Sequence, residues 1–322
     1  MQHDAATTTD IHTLEAVALA ATRSAAVASY AWVGRHDQKA ADAAATAAMR
    51  VALADAPGRG TVVIGEGEKD DAPMLFNGEL VGTGLGPDFD IAVDPLEGTS
   101  FCAEDHPGAL ATIAFGVRGA FWSPGPGFYM DKIVVPAPAK DVIDLDDPPE
   151  RTLAKVAGAL GKQVGELRVV VMDKPRHQDL IRRVVQAGAA VQTPAGGDVG
   201  GSLAVVLPTP DVDLLLGVGG TPEGVLTASA VRALGGGMLG RLAPQRAEEA
   251  DAIRAAGLSL DRVYDGDELV SGDAFFVATG VTGGPLLGRP REHDGVTIAE
   301  SLLITDGQVR HITHTTVEKA RG

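Results

Sequence analysis

The sequence predicts an α/β fold in which helices cover sheets, and three observations carry that expectation. Short apolar runs recur along the chain, several of them ending in glycine, as buried strands do. Segments of helical period stand between them. Near the C-terminus two strand-like runs flank Asp306-Gly307, a dipeptide suited to a two-residue hairpin turn.

In chain order, residues 11–33 read as a helix, with Leu14, Val17, Ala18, Ala21 and Ala25 recurring at three- and four-residue spacing. Gly34-Arg35-His36-Asp37 breaks it, and an Ala-rich helix follows from Ala40 to Ala54. Strands are expected at Thr61 to Ile64, Phe89 to Val93, Leu110 to Val117 and Leu167 to Met172. Three more are expected at Leu203 to Leu207, Val212 to Gly217 and Ala274 to Thr279. Helices are expected at Gln178 to Ala187 and Pro222 to Leu234, and the final hairpin pairs Ser301 to Thr305 with Gln308 to Val317. The Pro- and Asp-rich stretch from Pro136 to Arg151 marks the expected boundary between an N-terminal half, 1–140, and a C-terminal half, 141–322. Pro285 to Gly295 reads as a surface loop.

Composition narrows the class. With 322 residues and 45% hydrophobic content the chain can bury a sizeable core, but only 4% is aromatic, so small aliphatic side chains must do most of the packing. The single cysteine, Cys102, excludes an internal disulfide and reads as a small buried side chain. No secretory signal and no membrane-length apolar stretch is evident, so a cytoplasmic protein is expected. A formal net charge of −16 argues against nucleic acid and anionic membranes as partners. It would also repel a phosphorylated substrate unless bound cations reverse the local field.

Three acidic clusters follow strand-like runs. Gly65-Glu66-Gly67-Glu68-Lys69-Asp70-Asp71 comes directly after Thr61 to Ile64 and could by itself be a solvated turn. In Asp90-Ile91-Ala92-Val93-Asp94-Pro95-Leu96-Glu97-Gly98-Thr99, Asp94 is expected at a strand end because Pro95 cannot continue the ladder. A helical turn would then bring Asp94 and Glu97 to one side, and Gly98-Thr99 would offer backbone N–H groups to a phosphate. In Gly217-Val218-Gly219-Gly220-Thr221-Pro222-Glu223, the last residue either stabilises a helix dipole or joins a site. Three strand-end acids in one chain favour a convergent metal centre, and oxygen ligands of this kind suit Mg²⁺ or Mn²⁺. Gly82-Thr83-Gly84-Leu85-Gly86 resembles a nucleotide loop only superficially, since Pro87 follows and no helix opens there. His311 and His314, three apart on a strand, face opposite ways and do not make a zinc pair.

With these motifs in view the chain resembles the class II, bacterial-type fructose-1,6-bisphosphatases of the lithium-sensitive sugar and inositol phosphatase superfamily. The likeness runs from Tyr30-Ala31-Trp32-Val33-Gly34-Arg35 to the last hairpin. Its most specific pieces are Val63-Ile64-Gly65-Glu66-Gly67-Glu68 with Ala72-Pro73-Met74-Leu75, and Asp90 through Thr99. Lys174-Pro175-Arg176-His177 and Gly219-Gly220-Thr221-Pro222-Glu223-Gly224-Val225 add to it. The resemblance implies a layered αβαβα fold, a homodimer or homotetramer, and a small sugar phosphate as substrate. It also implies metal ligands at Asp42, Glu66, Asp94, Glu97 and Glu223, of which Asp42 carries no signal of its own. Thr99 paired with Asp70 would orient the attacking water, with Gly98 and Thr99 against the phosphate. Tyr129, Lys174 and Arg176 would hold a second, distal phosphate, and Asp198 would read the sugar. Without the resemblance, Lys174 and Arg176 would read as a solvated loop, and His177 as a loop or helix-start residue.

The departures lie near the sugar. Ser100 stands where the family has Arg, Gln38 stands where it has Lys, and Gly196 replaces the first carboxylate of Asp-Gly-Asp-Val while Asp198 remains. The expectation is altered sugar recognition with catalysis kept. Alternatives are a dedicated biosynthetic paralogue acting on another sugar or nucleoside phosphate, an inositol-type monophosphatase, and a silent sugar-phosphate-binding protein.

Overall fold

A computed structural model describes residues 10–66, 74–194 and 197–317. A 3₁₀ turn at Ile11–Leu14, capped by the Asp10 side chain, leads into α1 (Glu15–Tyr30). Next come α2 (Gln38–Leu53), whose N-cap Asp37 accepts from the Ala40 N–H, then β1 (Arg59–Ile64) and β2 (Leu80–Val81). β3 (Asp88–Glu97), α3 (Thr99–Glu104), β4 (Leu110–Val117) and β5 (Tyr129–Val135) follow. The chain continues through α4 (Pro149–Leu160), β6 (Arg168–Val170), α5 (Gln178–Gln186) and β7 (Ala190–Gln192). Then come α6 (Asp198–Val206), β8 (Leu214–Gly220), α7 (Thr221–Ala233) and β9 (Gly237–Leu242). Last are α8 (Ala247–Ala255), β10 (Val263–Asp265), α9 (Gly266–Leu269), β11 (Ala274–Gly280), β12 (Arg291–His293), β13 (Val296–Thr305) and β14 (Gln308–Val317).

The strands form two mixed sheets. One runs β12-β13-β11-β4-β3-β1-β2, with β14 added to β13, and the other runs β10-β9-β5-β8-β6-β7. The strands before Val117 and those after Ala274 share the first sheet, so the chain leaves it, builds the second sheet, and returns. Three apolar clusters define the layers. Ala18, Ala21, Ala25 and Ala41, each 0% exposed, seat α1 and α2 on one face of the first sheet. Val199, Leu203, Val225 and Val231 fill the space between the sheets, from α6 and α7. Leu153, Val156 and Val184 pack α4 and α5 on the outer face of the second sheet. This is the expected five-layer α/β arrangement, helix, sheet, helix, sheet, helix.

Alanine faces let α1 lie close to its sheet, and the few aromatics concentrate beneath it. Phe89, Phe115 and Phe275 stack in a row with centroids 5.4 Å apart at each step. Such pairs add roughly 0.5–1.5 kcal/mol each beyond their burial. The C-terminal hairpin is as expected: Thr305 pairs with Gln308, and Asp306 and Gly307 take φ of 46° and 74°, the two left-handed positions of a type I′ turn.

Three expectations are corrected. Leu203 to Leu207 is not a strand: Leu203 to Val206 form the last turn of α6. A short buried apolar run does not distinguish strand from helix by itself, and here α6 is packed between sheets where several faces are apolar. The strand expected to stop at Val93 runs on through Pro95 to Glu97. Pro95 is tolerated because the register to β4 shifts there, from Asp94↔Thr112 to Glu97↔Leu110, leaving one extra residue on β3. The segment from Pro285 to Gly295 contains the short strand β12 and the buried Leu287, so it is only partly a loop. Among the described residues no helix is long and apolar enough to cross a membrane.

Candidate metal centre and substrate cleft

The bulge in β3 places the first two acids. Side chains three apart on a regular strand face opposite ways; one extra residue restores the parity, so Asp94 and Glu97 point the same way. Thr112 on β4 donates its hydroxyl to the Asp94 carbonyl at 3.1 Å, and the Leu96 N–H donates to Asp94 Oδ1 at 3.1 Å. Glu223 arrives from the second sheet, in the first turn of α7 directly after β8. Ligand oxygens of Asp94, Glu97 and Glu223 lie within 4.8 Å of one another.

The glycines before Glu223 now have a reason. A Cβ on Gly220 would stand 1.7 Å from Glu223 Oε2, and one on Gly219 would stand 1.8 Å from Asp198 Oδ2. Only hydrogen at those positions lets the two carboxylates approach the backbone.

The electrostatics are those of an anionic trap. Burial first, then the charges of Glu97, Glu66 and Glu223, holds the Asp94 carboxyl well above its ordinary range. Burial first, then Asp198 and Glu223, pushes Glu97 up to about 8, although the Val199 N–H donates to Glu97 Oε1 at 3.0 Å and opposes the rise. Carboxylates crowded in this way favour a bound cation over mutual repulsion, and an all-oxygen set fits Mg²⁺ or Mn²⁺ rather than zinc.

These side chains line one cleft of about 640 Å³, together with Asp42 from α2, Glu66 after β1, and Gly98 and Thr99 at the start of α3. Gly98 has φ 77°, the left-handed turn that redirects the chain from β3 into α3. The segment from Ser123 to Phe128 forms a further wall. Asp70 lies outside the described residues, as does Gly196.

The second group of expected residues sits beside this cleft. Tyr129 begins β5 and pairs across to Gly220, and the Thr221 N–H donates to the Phe128 carbonyl at 3.0 Å. Arg176 lies 5.2 Å from the Tyr129 ring centroid and donates from Nε and Nη2 to the Val218 carbonyl at 3.2 and 2.9 Å. Lys174 precedes it in the same loop, half-buried. His177 is a structural clamp: 2% exposed, it donates from Nδ1 to the Met172 carbonyl at 2.8 Å and accepts at Nε2 from the Val218 N–H at 2.9 Å. Asp198 opens α6 and is buried, paired with Lys132. Gln38 and Lys39 are exposed in the first turn of α2.

Sequence reasoning missed Lys132, the Asn77 side chain that accepts from the Gly65 N–H at 2.9 Å, and the Ser123 to Phe128 wall. For Lys132 a signal existed, since it shares a strand face with the apolar Met130 and Val134, and a charge there is rarely buried without a partner.

An acidic cleft fed from both sheets defines the class: a layered α/β protein whose clustered carboxylates could hold a metal ion. The chain belongs to the family described as bacterial fructose-1,6-bisphosphatase, glpX-encoded, whose model matches residues 12–316. It is similar to the Escherichia coli strain K12 protein named fructose-1,6-bisphosphatase 1 class 2, with 43% identity over 297 residues that cover 88% of each chain. A Shigella flexneri relative named fructose-1,6-bisphosphatase class 2 matches with the same identity and coverage.

Proposed function

We propose that this chain is a phosphoric monoester hydrolase that removes one phosphate from fructose 1,6-bisphosphate or a closely related ketose phosphate, with Mg²⁺ or Mn²⁺ bound. The observation that carries the reading is the meeting of Asp94, Glu97 and Glu223 within 4.8 Å, in a chain of this family.

The residues divide the work. Asp42, Glu66, Asp94, Glu97 and Glu223 would hold the cations, which when bound would supply positive charge against the phosphate and lower the pKa of water. The backbone N–H groups at Gly98 and Thr99 meet the phosphate that is transferred. The Thr99 hydroxyl, held by Asp70, keeps a water in line with the phosphorus. An oxygen–phosphorus bond forms from that water as the ester bond to the sugar oxygen breaks, and the proton given up by the water ends on the sugar alcohol. Arg176, Lys174 and Tyr129 take the distal phosphate, where Arg and Lys give charge-assisted bonds. Asp198 accepts from a sugar hydroxyl. A homodimer or homotetramer, and a division of labour between 1–140 and 141–322, complete the proposal.

Ser100 favours a second substrate beside the first. It is half-buried in the first turn of α3, next to Thr99, and its short neutral side chain leaves room where a longer one would reach the ligand.

The test is phosphate release with Mg²⁺, with Mn²⁺, and after chelation, across fructose 1,6-bisphosphate, sedoheptulose 1,7-bisphosphate, ketohexose monophosphates, inositol phosphate and nucleoside phosphates. Metal-dependent release that is highest on a ketose bisphosphate is expected. Release highest on inositol or nucleoside phosphate, or binding with no release at all, would overturn the proposal.

A further inference from the structure

Lys132 is the one lysine or arginine in the buried class among the described residues, at 1% exposure. It lies in the middle of β5, between β8 and β9, opposite Gly217 on one side and Gly240 on the other. Its Nζ reaches Asp198 Oδ2 at 2.5 Å and donates to the Gly220 carbonyl at 3.0 Å. The pair therefore ties the first residue of α6 to the end of β8, three residues before Glu223.

Stability alone does not call for this arrangement. A buried ion pair costs desolvation that its attraction barely returns, and apolar side chains of the same volume serve as well or better. What the pair supplies is position. An ammonium pinned by the Gly220 carbonyl cannot follow Asp198, so Asp198 must come to it. Gly219 clears the way, because a Cβ there would lie 2.9 Å from Lys132 Cε as well as against the carboxylate. The neighbouring Val199 N–H is committed to Glu97, so α6 is fixed to the metal side of the cleft at its next residue. Held through Oδ2, Asp198 has a set orientation for Oδ1, and a carboxylate paired with an ammonium is an acceptor only. With glycine at 196 in place of a second acid, the sugar-reading role falls on this one side chain.

We propose that Lys132 is the positioning residue for Asp198, fixing the carboxylate so that Oδ1 accepts from a sugar hydroxyl of the substrate, an inference that rests on the sugar-phosphatase reading above. It acts on substrate choice through Asp198 and does not touch the reacting phosphate.

The experiment compares K132M, D198N and the double variant K132M/D198N, each with the sugar phosphate that the wild type hydrolyses best and with p-nitrophenyl phosphate, which has no sugar. K132M is expected to raise KM for the sugar phosphate about tenfold, the loss of one well-placed charge-assisted hydrogen bond. The preference for sugar over aryl ester, as a ratio of kcat/KM, should fall by the same factor. The double variant should match D198N in KM, since Lys132 has nothing left to position, while its melting temperature recovers toward the wild type. If K132M alone does not fold, K132R, which keeps the buried cation but not its geometry, takes its place in the same comparison. Additive rises in KM, or equal losses on both substrates, would make Lys132 a structural residue and overturn the inference. A wild type active on the aryl ester but on no sugar phosphate would instead overturn the functional reading on which it stands.

Discussion

Asp94 and Glu97 lie three residues apart on one strand and yet share a face, because β3 carries one more residue than β4 between them. Their carboxylates, together with Glu223 from the other sheet, are held close enough to repel. The cleft is thus poised to bind positive charge, and its clustered acids work against the stability of the unliganded fold.

Replacing Asp94 by Asn should separate these two effects. D94N keeps the size of the side chain and removes a carboxyl whose ionised form burial and its acidic neighbours disfavour, so the metal-free protein should become more stable, by about 1 kcal/mol. Phosphatase activity with Mg²⁺ should fall at least a hundredfold, roughly the value of one lost electrostatic contact in a dry site. Thermal melts with chelator, alongside phosphate release with saturating Mg²⁺, check both. A D94N protein that melts earlier than the wild type in chelator would contradict the picture of a repulsive cluster.

Gly220 tests how closely Glu223 must approach the backbone. A methyl group placed 1.7 Å from Oε2 forces the carboxylate away. G220A should lose most of its activity and need much higher Mg²⁺ for what remains, with a far-ultraviolet circular dichroism spectrum like that of the wild type. A metal titration of activity that overlays the wild type's would show that Glu223 has room the structure does not assign it.

His177 gives a pH dependence of known sign. Burial holds its imidazole below the ordinary value of 6.5, against smaller opposing effects of its hydrogen bonds. Below that pH the unfolded chain takes up a proton that the folded chain refuses, so stability is complete above about 6.5 and falls as the pH drops. The slope attributable to this one group reaches at most about 1.4 kcal/mol per pH unit. Protonation also ends acceptance from the Val218 N–H, loosening the loop that carries Lys174 and Arg176. Melting temperatures from pH 5 to 8 should show a steeper acid-side decline in the wild type than in H177N, which begins from a lower plateau. Parallel curves would remove His177 from the account.

Arg176 should matter only for substrates with two phosphates. It rests on Tyr129 and on the Val218 carbonyl, beside the cleft and not among its acidic lining. R176M is expected to raise KM for fructose 1,6-bisphosphate roughly tenfold while changing kcat and the hydrolysis of monophosphates little. A fall in kcat on both kinds of substrate would place Arg176 nearer the reacting group than proposed.

Local signals were legible in the sequence wherever the physics is local. The period of α1 and the Asp306-Gly307 turn depend on neighbours a few residues away, and they stand as expected. The family motifs likewise mark Glu66, Asp94, Glu97, Thr99 and Glu223 as one group, and the cleft contains them all. Other features depend on partners remote in the chain. Asp42 sits on an Ala-rich helix and shows no mark of its own until α2 is laid against the cleft. Leu203 to Val206 is apolar enough for either a strand or a helix, and burial between two sheets, with Asp198 and Ser202 in its first turns, decides for the helix. The bulge at Pro95 is a difference in residue count between β3 and β4, which neither strand states alone. Lys132 acquires its meaning only when Asp198 is brought to it. The sequence by itself determined which residues carry charge, where the chain turns and what kind of ligand the acids suit, because those follow from residue type and short-range periodicity. The tertiary structure alone decided which carboxylates face one another and which buried cation meets Asp198, because parity across a sheet and pairing through a buried core are long-range relations.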